Sequence, residues 1–346
     1  MKYVKKFNTQ AECRAYKSVT KINSLNAYMS GNNLVLDQET ITSMPNDEIW
    51  YTSNNGEVLT PASSNVFGAT ITSNTYTNGK GIIKFNGNVT SIGNAAFYNK
   101  SGLTSINIPN TVTGIGNTAF MGCSGLSYLY IPESVTSIGY SAFQDCPGLT
   151  SVNIPSNVTL IDQSAFRGCG YLTSINIPNS VLTIGNDAFN GCINLVSIEI
   201  PNSVTTIGTN AFHRCSKLIS VTFGSGITTI SAEAFANCWA LSTITIPSSV
   251  TTITEGMFYS CAYDGNGLKN VVLPSTTTEI EGHAFQYCTV LKSITCQATT
   301  PPTLGSDAFA NTNDNWVIYV PAASVDTYKA ASGWSSRADY IQAIPA

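Results

Sequence analysis

Apolar and polar residues alternate along this chain in a pattern that returns with a fixed spacing. Leu103-Thr-Ser-Ile106-Asn-Ile108 ends in the two-residue period of a strand with one buried face. Pro109 has no amide proton to continue a ladder, so it predicts the end of that strand and a turn. Val112-Thr113-Gly114-Ile115 is a second, weaker extended piece, and Gly116 permits a bend after it. Ala119, Phe120 and Cys123 then stand three and four residues apart, the spacing of one face of a short helical turn.

The whole unit recurs. Its Phe stands at 97, 120, 143, 166, 189, 212, 235, 258, 285 and 309, with the first seven steps all 23 residues, the eighth 27 and the ninth 24. Ile115 has equivalents at 92, 138, 161, 184, 207, 230, 253 and 280, and Leu304 holds that place in the last copy. One unit is too small to bury its own apolar side, whereas stacked copies bury it against each other. The pattern predicts a solenoid of about ten 23-residue coils with a parallel strand sheet, an α/β repeat.

Residues 1–80 do not repeat and predict a small α+β capping or attachment region; 81–310 form the solenoid, and 311–346 a strand-helix cap. Thr9 and Glu12 have capping-box spacing for a short helix around 10–17. Asn54-Asn55-Gly56, between Ile49-Trp50-Tyr51-Thr52 and Glu57-Val58-Leu59, predicts a β-hairpin. A helix is expected from Pro321 to Ala331, stopped by Gly333. Between Cys261 and Leu268 lie six residues, Ala-Tyr-Asp-Gly-Asn-Gly, where other copies have two. They predict a plain Gly-rich turn at the surface, because the echo of a calcium loop lacks its full spacing and distal Glu.

The repeat resembles the BspA-type leucine-rich repeat, read roughly as L-x-x-I-x-I-P-x-x-V-T-x-I-G-x-x-A-F-x-x-C. The resemblance covers about residues 82–310 and extends to the stretches around Ile49-Trp50-Tyr51 and Ile318-Tyr319-Val320-Pro321. It implies a right-handed solenoid. It also implies a surface protein of the kind found in anaerobic bacteria and some protists, where adhesion and host-protein binding are the usual assignments. Such proteins normally carry an export signal. The basic start Met1-Lys2-Tyr3-Val4-Lys5-Lys6 is not followed by the apolar stretch a signal peptide needs, which leaves the virion or the cytoplasm as alternative locations.

Composition narrows the function classes. Charged residues are 10% of the 346, against a usual ~25%, while hydrophobic residues reach 43%. The exposed faces must then be built mainly from Ser, Thr, Asn and Gly. With 16 Lys+Arg against 20 Asp+Glu, no basic footprint for nucleic acid exists. No apolar run is long enough for a transmembrane helix.

Eight of the ten cysteines, at 123, 146, 169, 192, 215, 238, 261 and 288, follow the repeat Phe by three residues. Their side chains leave the stack in parallel, which suits buried thiols better than disulfides or metal clusters. Cys296 falls in a core column, and Cys13 lies outside the repeats. His213 and His283 occupy different repeat positions, the acids are scattered, and neither a nucleophile elbow nor a phosphate-cradling loop is present. The expectation is a protein without catalytic activity or cofactor.

Candidate partner-binding residues are therefore the aromatic and Arg side chains on an otherwise small, polar coil surface. Arg214, Trp239 and Tyr259 predict one patch on the turn edge, beside Arg167, His213 and Tyr287. Tyr128 and Tyr130 offer a second patch on the sheet face. The expected function is adhesion or recognition of a protein or glycan partner through an extended surface at a bacterial cell surface. The alternative is a structural or receptor-binding component of a phage particle.

Overall fold

The computed structural model describes residues 3–6, 27–30, 33–36, 45–62 and 64–345. Three short strands, β1 (Tyr3–Lys6), β2 (Ala27–Ser30) and β3 (Asn33–Leu36), form an antiparallel sheet with β3 in the centre. The helix expected around 10–17, and Cys13, lie outside the described residues.

Three longer strands, β4 (Glu48–Ser53), β5 (Ile71–Thr77) and β6 (Lys80–Phe85), build an antiparallel meander in the order β5-β6-β4. The free edge of β4 pairs antiparallel with Leu103–Asn107, the first strand of its column in the repeat stack. The meander thus covers an edge that would otherwise offer open backbone groups. Ile49, Trp50 and Tyr51 are buried in it. The expected hairpin from β4 to Glu57-Val58-Leu59 does not form. Both edges of β4 are already occupied, so the chain after Asn54-Asn55-Gly56 is held by side chains instead. Leu59 N–H donates to Tyr51 Oη at 3.0 Å, and Ser53 Oγ donates to the Glu57 carbonyl at 2.8 Å.

The repeats stack in register. Ten two-residue strands, from Ser91–Ile92 to Thr303–Leu304, pair in parallel through the Ile column: Ile92 with Ile115 with Ile138, Ile161 through Ile230, and Ile253 with Ile280 and Leu304. The strands that precede each Pro form a second column, longest where Thr243–Thr245, Asn270–Leu273, Ser293–Cys296, Val317–Val320 and Ile341–Ala343 join one sheet. Where Pro follows such a strand, the chain turns as it predicts. The amide of Val112 bonds the Pro109 carbonyl at 3.1 Å, and Val135 bonds Pro132 at 3.0 Å.

The third side of each coil is a run of turns, where the spacing of Ala119, Phe120 and Cys123 predicts a short helical turn. The reason lies in the backbone. The residue two before each Phe has a positive φ, between 52° and 58°, and so does the residue two after it, from Asn99 to Asn311. Alternate amides then point along the stack: Thr118 donates to the Tyr140 carbonyl, Phe120 to Ala142 and Gly122 to Gln144, at 2.8–2.9 Å. A helix would have kept those bonds within the coil.

Inside, the ten repeat Phe rings form a continuous column. Successive centroids lie 5.3–6.0 Å apart with ring planes within 2–15° of parallel. Their burial is nearly complete, at 0% exposure for all but Phe309. The helix α1 (Val325–Ala330) closes the far end, as the sequence predicts, with the chain breaking out of it before Gly333. Trp334 Nε1 donates to the Pro302 carbonyl and Tyr328 Oη to the Ala298 carbonyl, both at 2.8 Å. These rings, with Trp316, cover Phe309 where another coil would have followed. Among the described residues no helix is long and apolar enough to cross a membrane.

Candidate binding surface

Side chains that point out of a coil are positioned by the rigid column beneath them. Trp239 follows Cys238 directly, so it leaves the stack at the corner between the turn side and the next strand. It is half-buried because Tyr263, one coil on, lies across it with centroids 4.9 Å apart and planes inclined by 26°. Tyr259 is also half-buried and meets Tyr287 edge to face, at 5.6 Å and 80°. Arg214 is exposed, in the left-handed region at φ 58°, and its amide bonds the Ala236 carbonyl at 2.9 Å.

The inserted residues carry the more exposed half of the first pair. The Gly-rich turn joins two short strands, Ala262–Tyr263 and Asn266–Gly267, which pair antiparallel as a small hairpin. Asp264 and Gly265, at φ 49° and 76°, make the two-residue connection with both residues left-handed that suits the twist of paired strands. At Gly267 a Cβ would lie 2.2 Å from the Cys261 carbonyl oxygen, so only glycine fits. The Leu268 amide bonds that same carbonyl at 2.8 Å, which returns the chain to its coil. The hairpin therefore rides on an undisturbed stack and holds Tyr263 outward, 63% exposed.

Several exposed residues lie outside the candidates that the sequence pattern singles out. Tyr171 (61% exposed), Ile193, Val196 and Ile219 are large, apolar and exposed, and all follow the Cys column on the same corner as Trp239. Ile193 shares the repeat position of Trp239, and Val196 and Ile219 share another in successive coils, joined by an amide-to-carbonyl bond of 2.8 Å. Most other coils have Ser, Thr, Gly, Pro, Ala, Asn or Lys at these places. Aligning the repeats column by column is the signal that finds them.

Near that corner His213 Nε2 and Asn237 Nδ2 lie 2.8 Å apart. Burial lowers the His213 pKa, so the neutral ring accepts the amide proton. On the sheet face Tyr128 and Tyr130 are both half-buried. Desolvation first, and the neighbouring Tyr130 second, push the Tyr128 hydroxyl up to about 12. The edge candidates and the sheet-face candidates thus occupy different sides of the coil.

Chemistry that needs a reactive group has little to work with among the described residues. All nine described cysteines are buried and unpaired, and burial pushes Cys123, Cys192 and Cys288 up to about 12. No group of three or more His, Cys, Asp or Glu among them is arranged to hold a metal ion.

The model of the BspA type leucine rich repeat region, built of six copies, matches residues 69–195, 137–264, 183–316 and 262–331. The chain belongs to this family. BspA-type chains are typically non-catalytic scaffolds, and no enzyme family is indicated for this one. Among solved structures, it is similar to a leucine-rich repeat protein from Bacteroides ovatus, with 28% identity and a TM-score of 0.52 over 72% of this chain and 69% of that one. It is also similar to a leucine-rich repeat protein from T. pallidum, with 26% identity and a TM-score of 0.41 over 48% and 78%. A leucine rich cell surface protein from Faecalibacterium prausnitzii has 23% identity and a TM-score of 0.38 over 94% and 99%. No curated protein matches the chain.

Proposed function

We propose that this BspA-type chain is a non-catalytic binding protein that recognises a protein partner at a bacterial cell surface. Recognition runs through the corner defined by Trp239, Tyr263 and the apolar residues Tyr171, Ile193, Val196 and Ile219. The observation that carries this reading is the Trp239–Tyr263 stack, lifted above the coil by a hairpin present in one repeat only. Exposed apolar side chains gathered on one side of a stack are a cost that a monomer rarely maintains without a partner. Rigid aromatic anchors flanked by aliphatic side chains are what binding hot spots are made of. Tyr259 with Tyr287, and Arg214, form the flank of that surface. In this reading residues 1–80 cap the stack and attach the protein, 81–310 present the recognition surface, and 311–346 close it.

An array of purified extracellular proteins, probed with the full chain, tests the reading. Trp239→Ala and Tyr263→Ala are expected to weaken the strongest interaction by at least about tenfold each, the cost of a lost aromatic anchor. Equal binding by both variants would reject the corner as the recognition surface.

A further inference from the structure

The strand column before each Pro is broken into separate sheets, and one of the breaks falls at Ser174–Ile177. Ser174–Ile177 make no backbone hydrogen bond to either neighbouring coil, although Ser151–Val152 and Ser197–Ile200 are each laddered on their far sides. A groove of about 620 Å³ opens over this break and runs from Ser174 to Gly224.

Four polar side chains of the lining are unspent. In the preceding coil Asn153 uses its amide on the stack, donating to the Ile131 carbonyl at 2.7 Å and accepting from the Ile131 amide at 2.8 Å. Asn176 and Glu199 hold the same repeat position in the next two coils, and neither bonds any described residue; nor do the hydroxyls of Ser174 and Ser197. Free peptide groups, hydroxyls, an amide and a carboxylate therefore face one groove, offering donors and acceptors together. The floor is apolar: Ile175, and Phe223, which replaces the usual Ile of its column and meets Phe235 edge to face at 5.8 Å.

We propose that this groove binds an uncharged oligosaccharide. Sugar hydroxyls both donate and accept, which matches the mixed lining, and their C–H faces match Ile175 and Phe223. One carboxylate and no Lys or Arg in the lining disfavour sialylated or sulfated glycans. A protein hot spot would need a larger apolar centre than this groove has. The site lies on the strand side of the coil, apart from the aromatic corner, and stands independently of it.

An array of neutral, sialylated and sulfated glycans probed with the full chain tests the assignment, alongside Asn176→Ala, Glu199→Ala and Tyr263→Ala. Neutral glycans are expected to be retained, with each groove substitution weakening retention by about tenfold and Tyr263→Ala leaving it unchanged. Both groove residues lie outside the core and bond nothing, so unchanged thermal midpoints are expected to accompany the loss. Retention of no neutral glycan, a preference for acidic ones, or retention unaffected by both groove substitutions would overturn it.

Discussion

The thiol of Cys192 donates to the carbonyl oxygen of Phe166, one coil earlier, with Sγ 3.3 Å from the oxygen. The same contact recurs at all eight column cysteines, at 3.0–3.4 Å. Each thiol is at once a small core residue and a donor to a buried carbonyl, and both roles require the protonated form. The native protein is therefore expected to resist alkylation near pH 8 and to react at these positions only after unfolding. Mass spectrometry before and after denaturation checks this, and recovery of intrachain disulfides between them would contradict it.

The same thiols set a pH dependence. Burial raises the folded pKa of Cys192 from 9.0 to about 12, so between those values the unfolded chain loses a proton that the folded chain keeps. Stability is then full below about pH 9 and falls as pH rises toward 12. Cys123 and Cys288 act in the same direction over the same window. The urea midpoint is expected to decline steadily from about pH 8 to about pH 11. A flat profile would place the thiols in a more polar setting than the stack provides.

Phe189 lies between Phe166 and Phe212 with centroids 5.5 and 5.3 Å away and no exposed surface. Phe189→Ala is expected to cost about 3–5 kcal/mol, from lost burial and the cavity left in a column with little freedom to collapse. Nearest-neighbour coupling should extend the loss of amide-exchange protection into the adjoining coils. An unchanged denaturation midpoint would contradict the burial of the ring.

Thr118 has a φ of 53°, a conformation that crowds a β-branched side chain. Asn210 holds the same repeat position at φ 57°. Asn tolerates the left-handed region better, but Asn210 leaves its Oδ1 buried without a hydrogen-bond partner, so Thr118→Asn is expected to raise stability by less than about 1 kcal/mol. Thermal denaturation measures it, and a lowered midpoint would mean that the Thr side chain contributes more than its backbone costs.

The period of the Phe column, the burial of the cysteines and the final helix were all legible in the sequence, because each rests on residue types that only the core or a turn accepts. The turn side was not. Its left-handed positions are filled by Ala, Thr, Ser, Asp, Asn, Glu, His, Arg, Tyr and Gly in different coils, since inter-coil hydrogen bonds rather than side chains impose the conformation. Three- and four-residue spacing of Ala119, Phe120 and Cys123 therefore imitated a helix. Trp239 was visible as an exposed aromatic, whereas its partner Tyr263 lay inside an insertion whose Asp264-Gly265 step is a hairpin signal passed over among the glycines around it. The groove at Ser174–Ile177 left little mark, because apart from Phe223 its residues match the repeat and a missing ladder shows only in the structure.

Excising Tyr263–Asn266 leaves Ala262 and Gly267 between Cys261 and Leu268, restoring the 23-residue period of the other coils. The hairpin stands on a stack that does not depend on it, and it supplies the aromatic partner of Trp239. Surface plasmon resonance of the excised and intact chains against the strongest binder from the extracellular protein array, paired with thermal denaturation of both, is the direct test. An unchanged thermal midpoint with binding lost is the expected result. Binding retained at full strength by a folded, excised chain would contradict recognition through this corner.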